Sequence, residues 1–244
     1  MCDRNVCQWF SSELKNKPQQ FKGKHILEVG SKAVNGSIRT SFDTYKQQYG
    51  FTYLGADIAS GPCVDVIVPA EQLVQRFGKN AFDIVITTEM MEHVYDWQTV
   101  INNIKQVLKP NGVLYLTTRS IGFHYHAYPF DFWRYQPEDL QEIFSDFHIK
   151  QLHYDSETIG VWLKAKKPQN WEPRRTELYL YSMAAGKRVA SPQYLTLPRR
   201  MLVLLTRLIG RFSRQTQSSL TQSTAKERTV FSRVMNIIRF KLLL

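Results

Sequence analysis

The segment HILEVGSKAVNGS, residues 25–37, runs apolar into an acid and a glycine, Glu28 and Gly30, and then turns polar. A short apolar run closed by glycine reads as a buried strand entering a tight turn. The same rhythm recurs downstream. Runs at 52–57, 64–68, 82–88 and 113–118 read as strands, and stretches at 37–49, 70–77, 96–108 and 137–147 carry helical spacing. In 96–108, Trp97, Val100, Ile101, Ile104, Val107 and Leu108 share one face before Lys109-Pro110-Asn111-Gly112 ends the helix. Strands apolar on both faces, alternating with helices, imply a parallel sheet covered on both sides. Runs at 148–155 and 160–165 are expected to close it as an antiparallel edge hairpin. The fold class is therefore α/β, a Rossmann-like sheet of seven strands.

Ligands of such sheets bind beyond the carboxyl ends of the strands. Gly30 lets the backbone pass close to a ligand, and Asp57, at the end of the second strand, can accept from both hydroxyls of a ribose. Either residue alone also fits a plain turn or a helix cap; in this order they favour a nucleoside. A dinucleotide loop reads G-x-G-x-x-G. Here positions 30, 32 and 35 are Gly, Lys and Asn. The glycine that lets a pyrophosphate approach is missing, which argues for a nucleoside without phosphates and against a nicotinamide-dependent oxidoreductase. An acid at the loop entrance also suits a ligand bearing cationic groups.

Four stretches, ILEVGS (26–31), YLGADI (53–58), FDIVITTEMMEHV (82–94) and VLKPNGVLYLTT (107–118), together resemble the class I S-adenosylmethionine-dependent methyltransferases, most closely the type 11 group. The resemblance runs from Glu28 to Lys167. It implies S-adenosyl-L-methionine as cofactor, with Glu28, Gly30 and Ser31 along its methionine part, Asp57 on the ribose and Ile58 on the adenine. Ala70 and Glu71 would sit near the adenine edge, and Thr88 and Glu89 would face the methyl donor. Two positions depart from the family pattern. Lys32 stands where a second loop glycine is usual, and Pro69 stands where an aspartate often precedes Ala70.

After the fifth strand comes RSIGFHYHAYPFDFWRY, residues 119–135. Aromatics interleaved with polar groups suit a ring-bearing or saccharide acceptor, so Tyr128, Asp131, Trp133 and Arg134 are candidate substrate contacts. The competing reading is a packing loop in which Asp131 pairs with Arg134. Transfer to oxygen or nitrogen requires loss of a proton, for which histidine is suited near neutral pH. His126, then His93, then His124 are the candidate bases. In some quinone-biosynthesis relatives of that family a segment similar to Glu92-His93 supports a metal; with no further ligands identifiable here, no metal site is assigned.

The chain has 244 residues, 43% of them hydrophobic and 13% aromatic, as befits a globular core. Its net charge of +11 is not spread evenly: residues 169–244 hold 14 Lys/Arg against Glu172, Glu177 and Glu227, while residues 1–168 are balanced. Domains are accordingly expected at 1–168, with a short N-terminal segment, and at 169–244, a basic extension. Within the extension, 198–214 places Met201, Leu204, Leu205, Leu208, Ile209 and Phe212 opposite Arg200, Arg207, Arg211 and Arg214. That pattern is a basic amphipathic helix suited to peripheral docking on an anionic membrane through 198–244. A lid or a partner site would use the same face.

The start MCDRNVCQWF lacks a secretory layout, no run approaches the ~18 apolar residues of a membrane span, and three cysteines fit no disulfide framework. A cytoplasmic location is expected. Nucleic acid is disfavoured as partner, because the catalytic part carries no net positive charge and the tail has few aromatics for stacking. The expected function is methyl transfer to a small-molecule, saccharide or lipid-linked acceptor, on oxygen. The alternatives are a cofactor-binding interaction protein without turnover and a nucleic-acid methyltransferase.

Overall fold

The computed structural model describes residues 3–127, 129–174 and 176–192. Strands β1 (His25–Val29), β2 (Thr52–Asp57), β3 (Val66–Ile67), β4 (Phe82–Thr88) and β5 (Leu108–Arg119) run parallel. β8 (Gly160–Lys166) lies antiparallel to β5, and β7 (His148–Asp155) antiparallel to β8. The order β3-β2-β1-β4-β5-β8-β7 confirms the seven-stranded sheet with its antiparallel edge. β1 sits between β2 and β4, so the strand order reverses there and a crevice opens beyond Val29 and Thr88.

The apolar runs explain the layers. Alternate residues of one strand point to opposite faces. Leu27 and Val29 of β1 enter one core with Val85, Val100, Ile101 and Ile104. Ile26 enters the other with Ile84, Ile86 and Phe42. Helix α4 (Trp97–Val107) covers the first face; Asp96 caps it by accepting from Thr99 N. Helix α2 (Arg39–Tyr49) covers the second and stops at Gly50, whose φ of +63° ends the helix left-handed.

Several elements differ from their sequence reading. The expected short N-terminal segment is a helix, α1 (Arg4–Asn16), capped by Asp3 and buried through Val6, Phe10 and Leu14. The helix expected at 70–77 splits into a 3-10 turn, Ala70–Gln72, and α3 (Leu73–Phe77). That expected at 137–147 stops early, as α5 (Pro137–Ile143).

The expected domain break near Pro168 is not a break in packing. Lys167 Nζ donates to the carbonyls of Lys105 and Leu108, and Trp171 Nε1 donates to Asp146. Strands β9 (Leu180–Ser182) and β10 (Lys187–Val189) then form a small antiparallel sheet with β6 (Trp133–Arg134), and the first compact unit runs through Gln193. Charge located the basic excess, but buried Leu180 and Ser182 set the packing. The amphipathic segments expected at 198–214 and 230–244 lie outside the described residues. Among the described residues no helix is long and apolar enough to cross a membrane.

Candidate functional site

The loop after β1 is stitched to the end of β2. Gly30 N and Ser31 N both donate to Ala56 O, at 2.8 and 3.1 Å. Gly30 has φ +79°, and a Cβ there would lie 2.8 Å from Met90 Cγ, so glycine is required twice over. Lys32 N donates to Asp57 Oδ2 (3.0 Å) and Ala59 N to Asp57 Oδ1 (3.1 Å). Each carboxylate oxygen keeps a lone pair for a further donor. Lys32 does not spoil the loop, because its side chain lies along Gly61. Ile58, next to Asp57, is 72% exposed, and the Ser31 hydroxyl is buried without a hydrogen-bond partner. A nucleoside fits these features: donors for Asp57, an apolar face for Ile58 and a polar edge for Ser31. Ala70 and Glu71 follow β3 in the 3-10 turn.

Glu28 is buried and accepts from Tyr53 Oη at 2.7 Å. Burial pushes its carboxyl up to about 7, against the opposing pull of that hydrogen bond. The acid at the loop entrance is therefore poised between its charged and neutral forms near neutrality.

On the other side of the crevice β4 ends in buried Thr88 and Glu89. Glu89 has φ +50°, a conformation L residues hold only when the surroundings enforce it. Its N–H donates to Thr117 O, and its Oε2 lies 2.5 Å from Arg119 Nε. Burial, then the charge of Glu92, raises its carboxyl to about 8. Arg119 reaches on to Asp3 Oδ2 and Thr158 O, tying the cap of α1 to this centre.

The next turn, Met91–His93, carries the reactive face. Glu92 is 0% exposed; its Oε2 accepts from Thr118 Oγ1 at 2.9 Å, while Oε1 has no hydrogen-bond partner. His93 Nδ1 lies 2.6 Å from Phe130 O, so the proton sits on Nδ1 and the lone pair on Nε2. His126 follows the same rule. Its Nδ1 lies 3.0 Å from Asp131 Oδ2, which also accepts from His126 N at 2.7 Å. Burial would raise the Asp131 carboxyl, but hydrogen bonds from Arg134 and His126 hold it at about 2. Asp131 thus stays charged and orients the His126 ring through its Nδ1. Glu92 Oε1 is 3.9 Å from Nε2 of His93 and 3.9 Å from Nε2 of His126. These three residues are the group that could hold a metal ion among the described residues, with ligand atoms within 4.8 Å of one another.

The structure thus brings His93 and His126 together, with ring centroids 4.7 Å apart. It does not add His124, whose ring stacks on Phe123 and whose carbonyl accepts from Arg134. Burial lowers the His124 imidazole below its ordinary value. The expected acceptor contacts need correction. Arg134 is 0% exposed and spends its donors on both Asp131 oxygens and on the carbonyls of Phe123, His124 and Trp133. Trp133 is buried, its Nε1 donating to Val94 O. A buried guanidinium must be fully partnered, and this one finds every partner inside its own loop. Asp131, Trp133 and Arg134 therefore frame the loop rather than line its surface. Tyr128 lies outside the described residues. Aromatic surface near the histidines includes Phe130, 58% exposed, Phe123, whose ring lies 5.2 Å from that of His126, and Tyr95, which packs edge-on against Phe132. Sequence reasoning weighed the Glu92-His93 segment, within the E-x-x-E-H spacing of 89–93, only as a metal support and assigned it no role.

A family model described as "Methyltransferase domain" matches residues 4–165. The chain is 30% identical to a ubiquinone biosynthesis O-methyltransferase of Vibrio atlanticus over 44% of its own length and 48% of that enzyme. It is 29% identical to the ubiquinone biosynthesis O-methyltransferase of Coxiella burnetii, over 66% of this chain and 73% of that one. The match thus spans about half the length of the Vibrio relative. In fold it is similar to the 1,6-didemethyltoxoflavin-N1-methyltransferase of Burkholderia thailandensis, solved with S-adenosylhomocysteine. That likeness has a TM-score of 0.50 at 14% identity and covers 68% of this chain and 80% of that one.

Proposed function

This chain belongs to the methyltransferase-domain family and uses S-adenosylmethionine, and from that premise we propose that it methylates a small-molecule acceptor on oxygen. The observation that carries proton removal from the acceptor is the convergence of His93, His126 and a buried Glu92 oxygen beside the crevice. The choice of oxygen rests on the names of the Vibrio and Coxiella relatives, both O-methyltransferases.

The bound cofactor supplies a methyl carbon already activated by its sulfonium. What remains for the chain is positioning, which is the main source of rate in an in-line displacement. Asp57 and the Gly30 turn hold the nucleoside. Phe130 and Tyr95 offer apolar rings to the acceptor, and its hydroxyl meets the Glu92–His93–His126 face, where the proton is lost. The S–CH3 bond breaks as the O–CH3 bond forms, leaving a methyl ether, S-adenosylhomocysteine and a proton. Fixing the Nδ1–H tautomers beforehand through Phe130 O and Asp131 means that no rearrangement is needed when the acceptor arrives.

The test is to incubate the protein with trideuteromethyl-labelled cofactor and the small-molecule fraction of a cell extract, then follow the label by mass spectrometry. The expected product carries it as an O-methyl group; recovery in a saccharide or lipid-linked product would refine the acceptor class. Label found only on nitrogen, on carbon or in nucleic acid would contradict the proposal.

A further inference from the structure

We propose that Asp3 and Arg119 are positioning residues for the cofactor, through which the first turn of α1 holds Glu89 in place at the crevice. The inference rests on the cofactor lying in that crevice and does not depend on which acceptor is methylated.

A helix cap needs one oxygen, and serine, threonine or asparagine supplies it as well as aspartate does. Asp3 caps α1 with Oδ1, which accepts from Val6 N at 3.2 Å. Its other oxygen, Oδ2, turns away from the helix and lies 3.2 Å from Arg119 Nη1. Arg119 ends β5 and is 6% exposed, so its charge has to be matched. It is matched twice, by Asp3 and by Glu89, whose Oε2 lies 2.5 Å from Arg119 Nε. Glu89 directly follows β4, where the crevice opens, and keeps a φ of +50° that its surroundings must enforce. Releasing its carboxyl removes one of those restraints, and the wall of the crevice shifts with it.

The body of α1 is held on the sheet by other means. Val6, Phe10 and Leu14 are fully buried, and near the far end of the helix Lys164 Nζ donates to buried Glu13. The Asp3–Arg119 pair is surplus to that attachment. The first two turns of α1 instead bridge the strand ends: Cys7 Sγ donates to Ser37 O in the loop after β1 (3.8 Å), and Asn5 Nδ2 donates to Glu157 Oε2 in the turn between β7 and β8 (2.9 Å). The Arg119 guanidinium also lies 4.2 Å from the centre of the Phe123 ring, which in turn sits 5.2 Å from the His126 ring. One side chain therefore braces Glu89 on the cofactor side and Phe123 on the acceptor side.

The test measures S-adenosylhomocysteine affinity by calorimetry and melting temperature side by side, on the full chain. Arg119→Met is expected to weaken binding by roughly 10- to 100-fold, the size of one lost hydrogen bond to a charged group. Asp3→Asn keeps an oxygen on Val6 N, and so the cap, but turns an amide toward Arg119. It should weaken binding by about 5- to 10-fold with the melting temperature nearly unchanged. Because Asp3 acts through Arg119, adding Asp3→Asn to Arg119→Met should cost no further affinity. Glu13→Gln, which strands Lys164 at the other end of the same helix, should lower the melting temperature and leave affinity as in the wild type. If Arg119→Met does not fold, Arg119→Lys replaces it; lysine keeps the charge but cannot span both carboxylates, and binding should still weaken. Wild-type affinity in Asp3→Asn, or fully additive losses in the double variant, would overturn the proposal. So would an affinity loss in Glu13→Gln equal to that in Asp3→Asn, which would make Asp3 a structural fastening. Wild-type protein that binds no S-adenosylhomocysteine would sink the reading of the crevice as well, whereas tight wild-type binding with indifferent variants sinks this proposal alone.

Discussion

Asp57→Ala is expected to weaken S-adenosylhomocysteine binding by roughly 100- to 1000-fold in calorimetry while the protein stays folded. Hydrogen bonds to a charged group contribute about 1.5–3 kcal/mol each, and a ribose offers this carboxylate two. The same substitution frees Lys32 N and Ala59 N, which now hold the loops after β1 and β2 against the carboxylate. Asp57→Asn keeps one oxygen and should fall between the two. Unchanged affinity in Asp57→Ala would mean that the nucleoside sits elsewhere in the crevice.

Arg134→Met is expected to cost about 3–5 kcal/mol of stability, the usual penalty for stranding one member of a buried pair. For a chain of this size each kcal/mol corresponds to about 2–4 °C, so the melting temperature should drop by roughly 6–20 °C. The loss would come from Asp131, left charged and buried, and from the carbonyls of Phe123, His124 and Trp133, left without donors. Adding Asp131→Leu should restore part of the stability, because no unpaired charge then remains. A melting temperature equal to that of the wild type would instead restore Arg134 to the role read from sequence, an acceptor contact.

The difference between those two roles shows where sequence reasoning ran out. The β-branched runs and the glycine and acid at their ends were legible because a parallel strand must be apolar on both faces and its ligands must lie at its carboxyl end. Gly30 and Asp57 follow from that rule, whereas Ile58 came only with the family resemblance. His126 was legible by position. Its partners were not, because pairing of Asp131 with His126 and of His126 with Glu92 depends on how a long loop folds back over a strand end. Arg134 looked free in one dimension; its burial is set by β9, a strand some 46 residues further on. The N-terminal helix was missed for a related reason. Val6, Phe10 and Leu14 form only a narrow apolar stripe, and their value appears when Phe42 and Tyr115 are placed against them. Charge counting placed a boundary at Pro168 because charge marks what faces solvent, whereas Trp171 and Leu180 pack on the domain beyond it.

The central claim is geometric: a nucleoside seated on Asp57 would present its sulfur to the face made by Glu92, His93 and His126. A crystal structure of the protein with S-adenosylhomocysteine measures this directly. The account predicts both ribose hydroxyls on the Asp57 carboxylate and the sulfur opening toward the two Nε2 atoms. A sulfur turned away from that face, or a ribose held by any other residue, would contradict it.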